Sequence, residues 1–436
     1  MTKFDKVSEN MSKIKIRNFG PIKEGYQEDD GWMDIKKVTV FVGNQGSGKS
    51  TVAKLISTFS WIEKALTRGD ADKEYFSKVF ARKDKGKNQY LTYHRIENYF
   101  SKSEKTLIDY KGDAFHFHFE NGVLSINEAK NGDYPLPQIM YVPAERNFIA
   151  NVRTPRALKQ ISPSLSEFVT ELYNAGNAIK NQMLLPINSD SEIYVEYNKQ
   201  NDIFYVKGKD YRIKLTEASS GFQSLIPLYL VSWLFSDAVK PQPENSKEPM
   251  SGEQREKFRA RVKAINDNTD LTDELRRIAI SELAKEFTKT AFINIVEEPE
   301  QNLFPSSQRQ ILNSLLEFNN INTGNKLIMT THSPYLINFL NIAIQGEYLR
   351  TKIESLHSKK ELPELMAMNE KLNKIVPIKS VVSSLDVVVY QLDEIDGTIK
   401  KLPNYEGILS DKNFLNDMLK DGNQMFDSLL EIEEEL

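Results

Sequence analysis

FVGNQGSGKST, residues 41–51, sits directly after a β-branched run, VTVFV at 38–42, and directly before VAKLISTFSWI at 52–62, whose apolar residues recur at helical spacing. The stretch is therefore a strand-to-helix turn. From Gly43 to Ser50 it follows the pattern of a glycine, four variable residues, then Gly-Lys-Ser. Glycines let backbone N–H groups converge on phosphate oxygens, and the helix that follows offers its positive N-terminal end to the same anion. Lys49 supplies a point charge for β- and γ-phosphates and the Ser50 hydroxyl suits Mg²⁺. A glycine-rich turn that binds nothing is the alternative, and Lys-Ser-Thr in the right place argues against it. The turn reads as a nucleoside triphosphate site made by Gly43, Asn44, Gln45, Gly46, Ser47, Gly48, Lys49, Ser50 and Thr51.

Composition bounds the rest. A chain of 436 residues, 40% hydrophobic and 27% charged, can bury a large core and suits two lobes better than one. The formal net charge of −4 gives no broad footprint for nucleic acid, while a local basic groove stays open. The absence of cysteine removes disulfides, iron–sulfur clusters and thiolate zinc sites. The N-terminal residues lack the apolar core of a secretion signal, and the longest apolar stretch, LIPLYLVSWLF at 225–235, is too short to span a bilayer. The expectation is a cytoplasmic protein with no membrane partner.

Along the chain, KIKIRNF and VTVFV suggest strands leading into the turn, and the polar, lysine-rich residues 64–112 suggest helices and loops of a lobe. AFHFHFENGVLSI at 114–126 alternates strictly around Asn121-Gly122, a hairpin signal. His116 and His118 share one face of it with no obvious third ligand, so they read as solvent-facing. IMYV at 139–142 looks like a buried strand that turns away at PAERN. Residues 152–190 look helical, and 192–215 read as short antiparallel strands.

Three further stretches carry chemistry. In EASSGFQSLIPL, residues 217–228, Ser219 and Ser220 suit helix caps and Gly221 permits close approach. AFINIVEEPEQNLFP, residues 291–305, is a buried strand ending in two carboxylates, one able to hold Mg²⁺ while its neighbour polarises a water. KLIMTTHSPYLINFL, residues 326–340, delivers His332 to the end of a strand before a Ser-Pro helix start.

The order of these four stretches resembles the ABC-type ATPase heads of the overcoming-lysogenization-defect, SMC and RecF group, closest to the compact AAA15/AAA21 branch. The resemblance covers Gly43 to His332. It implies an α/β P-loop NTPase fold with a mixed central sheet, an antiparallel β lobe and a helical lobe, residues 1–436 forming one head. It implies ATP and Mg²⁺, with Glu297 beside Ser50 on the metal, Glu298 as catalytic base and His332 as switch histidine. Ser219, Ser220 and Gly221 would serve a nucleotide held by a second protomer. Asn302 falls where the loop crosses the dimer interface, and the glutamine-loop position falls at Glu145 or Arg146. The partners implied are a second copy at least, with larger even-numbered assemblies open. A separate effector, such as a TOPRIM or HNH nuclease, is also implied. The resemblance points to a molecular switch in anti-phage defence of the PARIS or Septu type, akin to a toxin–antitoxin pair. A RecF-like ATPase acting directly on DNA and an ATP-dependent scaffold with little hydrolysis are the alternatives. The chain departs from the usual pattern in having Glu297 for aspartate and SSGFQ for SGGQ. It also lacks a long coiled-coil arm.

Residues 240–288 read as a charged insertion of two amphipathic helices broken near NDNTDLT. Residues 341–436 read as a C-terminal extension with a β-hairpin, its turn at Asp396-Gly397 beside Asp393 and Glu394. This part is marginal in length for a nuclease domain that must also cover a core, and EIEEEL reads as a frayed acidic end.

Overall fold

The structure, a computed structural model, describes residues 11–80, 89–100, 105–129, 134–152, 161–187, 192–239, 252–269, 271–272, 275–280, 283, 291–356 and 361–434. Among these, the central sheet is built from β1 (Gly25–Tyr26), β2 (Val38–Gly43), β3 (Gln138–Val142), β4 (Phe292–Glu297), β5 (Lys326–Thr331), β6 (Val387–Leu392) and β7 (Thr398–Lys401). Their order is β1-β7-β6-β2-β5-β4-β3. The strands β6, β2, β5, β4 and β3 run parallel, and β7 turns back antiparallel to β6. The sheet is thus mixed.

Side-chain alternation explains why these strands read as continuous apolar runs. Val38, Val40 and Val42 enter one core while Phe41 enters the other. In β5, Leu327 and Met329 part from Ile328, and in β6, Val387 and Val389 part from Val388 and Tyr390 in the same way. A parallel sheet covered on both faces needs apolar residues at every position. One face carries α1 (Lys49–Arg68), sandwiched under a five-stranded antiparallel sheet whose strands include Lys13–Arg17, Leu107–Lys111 and Phe115–Glu120. The other carries α2 (Pro163–Ala178), α3 (Ser220–Ala238), α4 (Pro305–Asn320) and α5 (Pro334–Ser355), with a four-stranded antiparallel sheet at 183–214. This is the expected α/β architecture with a β lobe and a helical lobe.

Several local expectations are met. Asn121 and Gly122 have φ of 51° and 79°, the left-handed pair that a two-residue hairpin needs. His116 and His118 point to solvent, and His118 pairs with Asp109. The β6–β7 hairpin turns at Asp396-Gly397. Three expectations need correction. Leu107–Lys111 is a strand within the lysine-rich 64–112 segment, because Ile108 and Tyr110 alternate inward. Residues 152–190 are helical only over Pro163–Ala178, and Met183–Leu184 joins the four-stranded sheet. The acidic end is ordered as helix as far as Glu434, within α7 (Phe414–Glu434), which follows α6 (Leu362–Ile375). Of the 240–288 insertion, a helix at Gly252–Asp267 and helical residues 275–280 flank the expected break; residues 240–251, 270, 273–274, 281–282 and 284–288 lie outside the described residues. No helix among the described residues is long and apolar enough to cross a membrane.

Candidate active site

Three glycines of the phosphate turn have positive φ: Gly43 at 151°, Gly46 at 80° and Gly48 at 100°. At Gly43 a side chain is excluded, since a Cβ would lie 2.4 Å from the Leu392 carbonyl oxygen and 2.8 Å from Ser47 Oγ. Gly48 caps α1 without a side chain, so the first N–H groups of the helix, at Lys49, Ser50 and Thr51, have no intrahelical acceptor. Lys49 folds back over the turn, donating from Nζ to the carbonyls of Gly43 at 2.8 Å and Asn44 at 2.7 Å. Burial lowers its ammonium to about 8, against the pull of Glu298, Glu300, Glu394 and Glu297. A buried cation held only by carbonyls is well placed to exchange them for phosphate oxygens. Ser47 Oγ is buried with no partner. Asn44 donates from Nδ2 to Glu394 Oε1 at 2.6 Å, so the β6–β7 turn leans on the phosphate turn.

The parallel order places the ends of β2, β4 and β5 along one edge, and it is there that strands of such a sheet present ligands. Glu297, the last residue of β4, is 3% exposed. Its Oε2 accepts from Ala144 N–H at 3.2 Å, and its buried Oε1 makes no hydrogen bond of good geometry although the Tyr141 hydroxyl interacts with the same carboxylate. Such a carboxylate oxygen near the start of α1 fits a divalent cation, and Ser50 with Glu297 is the donor set that would hold Mg²⁺. Among the described residues no group of three or more His, Cys, Asp or Glu gathers around a metal position.

Glu298 lies beyond the strand with φ of 45°, a left-handed backbone that costs a β-substituted residue about 1–2 kcal/mol. Its N–H donates to the Thr330 carbonyl at 3.0 Å. Its carbonyl is held from the other side by Arg146, whose fully buried guanidinium also donates to the carbonyls of Glu297, Pro143 and Ser224. Burial lowers the Arg146 guanidinium to about 10. Arg146 therefore ties the PAERN turn, the end of β4 and α3 together, while Glu145 faces solvent.

Glu298 Oε1 and His332 Nε2 are 3.3 Å apart. The hydrogen bond from His332 leads in holding the Glu298 carboxyl below its ordinary range, opposed by burial. The two side chains are each 32% exposed, open enough to meet a ligand.

Ser219 and Ser220 are exposed, and Ser219 occupies the cap position of α3 without a side-chain capping bond. Gly221 packs on Asn302, whose carbonyl would meet a Cβ at 3.0 Å. Ser224 donates to Gln301 Oε1 at 3.0 Å and accepts from Asn302 Nδ2 at 3.4 Å, so α3 rests on the loop after the carboxylates. Gln223 is turned back, its amide donating to the Ala218 carbonyl at 3.0 Å.

Sequence reasoning passed over Glu300. Its Oε1 accepts from His332 N–H at 2.7 Å and from Thr331 Oγ1 at 2.8 Å. Its burial raises the carboxyl above its ordinary value despite those donors. A signal was present in the spacing, since EEPE puts a third acid two residues past Glu298.

Residues 261–337 match the family model described as the AAA ATPase domain, a span that includes Glu297, Glu298 and His332. No curated protein sequence matches the chain. Among solved structures, the chain is similar to the SMC head domain from Thermotoga maritima, with 10% identity, a TM-score of 0.33 and coverage of 91% of this chain and 99% of that one. It is also similar to an SMC head bound to the C-terminal winged-helix domain of ScpA, with 10% identity, a TM-score of 0.34 and coverage of 90% and 96%. A dimeric post-hydrolysis state of an ATP-binding cassette bound to ADP and Pi gives 12% identity, a TM-score of 0.24 and coverage of 91% and 100%.

Proposed function

We propose that this chain binds ATP with Mg²⁺ and hydrolyses it. One observation carries the reading: the phosphate turn with Lys49, the buried oxygen of Glu297 and the Glu298–His332 pair converge on one edge of the central sheet. Lys49 leaves the Gly43 and Asn44 carbonyls for the β- and γ-phosphates, and the N–H groups at the start of α1 hold phosphate oxygens. Ser50 and Glu297 would hold Mg²⁺, which when bound would supply positive charge to the phosphates. Glu298, kept ionised beside His332, takes a proton from the attacking water, and His332 fixes the orientation of the carboxylate.

The test pairs two substitutions. Lys49→Ala should abolish ATP binding in calorimetric titration while circular dichroism and thermal unfolding stay unchanged. Glu298→Gln should still bind ATP and lose about two or more orders of magnitude in hydrolysis. Unchanged ATP affinity in folded Lys49→Ala, or unchanged turnover in Glu298→Gln, would overturn the reading.

Composite sites in a homodimer extend the proposal. Exposed Ser219 and Ser220, with Phe304 at 75% exposure just past Asn302, support a face on which a second copy would offer its signature residues to the γ-phosphate. Control of a separate effector in anti-phage defence is the role suggested by the order of the four motifs. Copurification of a partner whose occupancy changes between ATP-bound Glu298→Gln protein and nucleotide-free protein would support it, because a ligand shifts an equilibrium only by its differential affinity.

A further inference from the structure

We propose that Glu300 is a positioning residue that sets His332 in place for hydrolysis; the proposal rests on the ATPase reading above. The carboxylate holds the histidine turn at one oxygen. Glu300 Oε1 accepts the His332 N–H at 2.7 Å and the Thr331 hydroxyl at 2.8 Å. The same Thr331 hydroxyl accepts the Ser333 N–H at 2.9 Å. Thr331 and His332 are thereby tied to Glu300 Oε1, and Ser333 is tied to the Thr331 hydroxyl.

The other end of the imidazole is met from the same segment. Glu298 and Glu300 flank Pro299, Glu298 Oε1 facing His332 Nε2 at 3.3 Å while Glu300 holds the backbone of the same histidine. His332 is thus gripped at two points by residues that cannot shift independently. Proline at 299 stiffens the link. The cost of this arrangement is visible at Glu300 Oε2, which is buried without a partner. A carboxylate with one oxygen left unsatisfied is an expensive way to anchor a turn, and a site where about 1 Å of displacement costs about a hundredfold in rate gives a reason for it.

The grip needs an acceptor and not a charge, so the amide of glutamine should serve. In the full chain, Glu300→Ala should lower kcat for ATP by about tenfold to a hundredfold while the ATP dissociation constant stays within about twofold. Glu300→Gln should keep kcat within about threefold of the wild type. A role confined to stability would lower the unfolding temperature without separating kcat from ATP binding. Equal loss in Glu300→Gln and Glu300→Ala, or full activity in both, would overturn the proposal. Should Glu300→Ala fail to fold, Thr331→Val removes one of the two donors and leaves Glu300 in place. It should lower kcat by about threefold to tenfold at unchanged ATP affinity, and an unchanged kcat would equally overturn the grip. Wild-type protein that turns over ATP while these variants match it sinks this inference alone; wild-type protein that binds no ATP sinks the ATPase reading and the inference with it.

Discussion

Gly43 and Gly46 belong to one turn and should fail for different reasons. A Cβ on Gly43 meets the carbonyl of Leu392, part of a strand that cannot retreat without breaking the sheet, whereas nothing lies within 4 Å of the Cβ position of Gly46. Gly46→Ala therefore bears only the left-handed backbone, about 1–2 kcal/mol. Gly43→Ala bears its φ and a backbone clash, and should destabilise by about 2–4 kcal/mol with loss of nucleotide binding. Urea unfolding midpoints of the two variants measure the gap. Equal midpoints would mean that β6 does not press on the turn as described.

The helix α1 contains a second testable acid. Glu63, 2% exposed, accepts from the N–H groups of Ala114 at 2.6 Å and Phe115 at 3.1 Å, bonding the phosphate-turn helix to the antiparallel lobe. Burial pushes its carboxyl up to about 8, Asp113 adds to the rise, and the two amides oppose it. Because the folded value lies above the unfolded one, the unfolded chain gives up this proton first. The stabilisation is complete below about pH 4.5 and is lost as pH rises through about 8. Glu63→Gln keeps an oxygen for both amides and cannot ionise, so its unfolding temperature should fall less than that of the wild type between about pH 5 and pH 8. Parallel curves would show that Glu63 is not the group responsible. The same residue illustrates what the sequence could and could not tell. The phosphate turn, the hairpin at Asn121-Gly122 and the strand ending in Glu297 were legible because each is fixed by neighbours within a few positions. Glu63 was not, nor were the contacts that Arg146 and Glu300 make, since the partners lie in other elements: Glu63 meets Ala114, Arg146 meets Glu298, and Glu300 meets His332. The β6–β7 hairpin was legible as a hairpin, but its docking beside β2 depends on sheet order, which no local pattern encodes. Leu107–Lys111 was masked by its polar, lysine-rich setting and by Leu107, an apolar residue on the outward face that blurs the period of two.

At the scale of the whole molecule, composite sites predict complementation. Ser219→Arg should disable the signature face and Lys49→Ala the phosphate turn, each leaving the other surface intact. Mixed in equal amounts and allowed to exchange, the two inactive proteins should recover up to about a quarter of wild-type hydrolysis, because half the dimers are mixed and each mixed dimer keeps one complete site. No recovery with mixed dimers demonstrated would count against a site shared between protomers. The central position of β2 bears on the life of the chain before any dimer forms. Its neighbours β5 and β6 come from Lys326–Thr331 and Val387–Leu392, so the strand that carries the phosphate turn leaves the ribosome with both edges bare. At ordinary elongation rates it waits roughly 20–70 s for β6 to be translated. A nascent chain gains β3, β4 and β5 during that interval and lacks until its end the strand whose Leu392 carbonyl closes against Gly43. On the proposed reading, capture of ATP becomes a late event of synthesis, waiting for β6 to close beside β2.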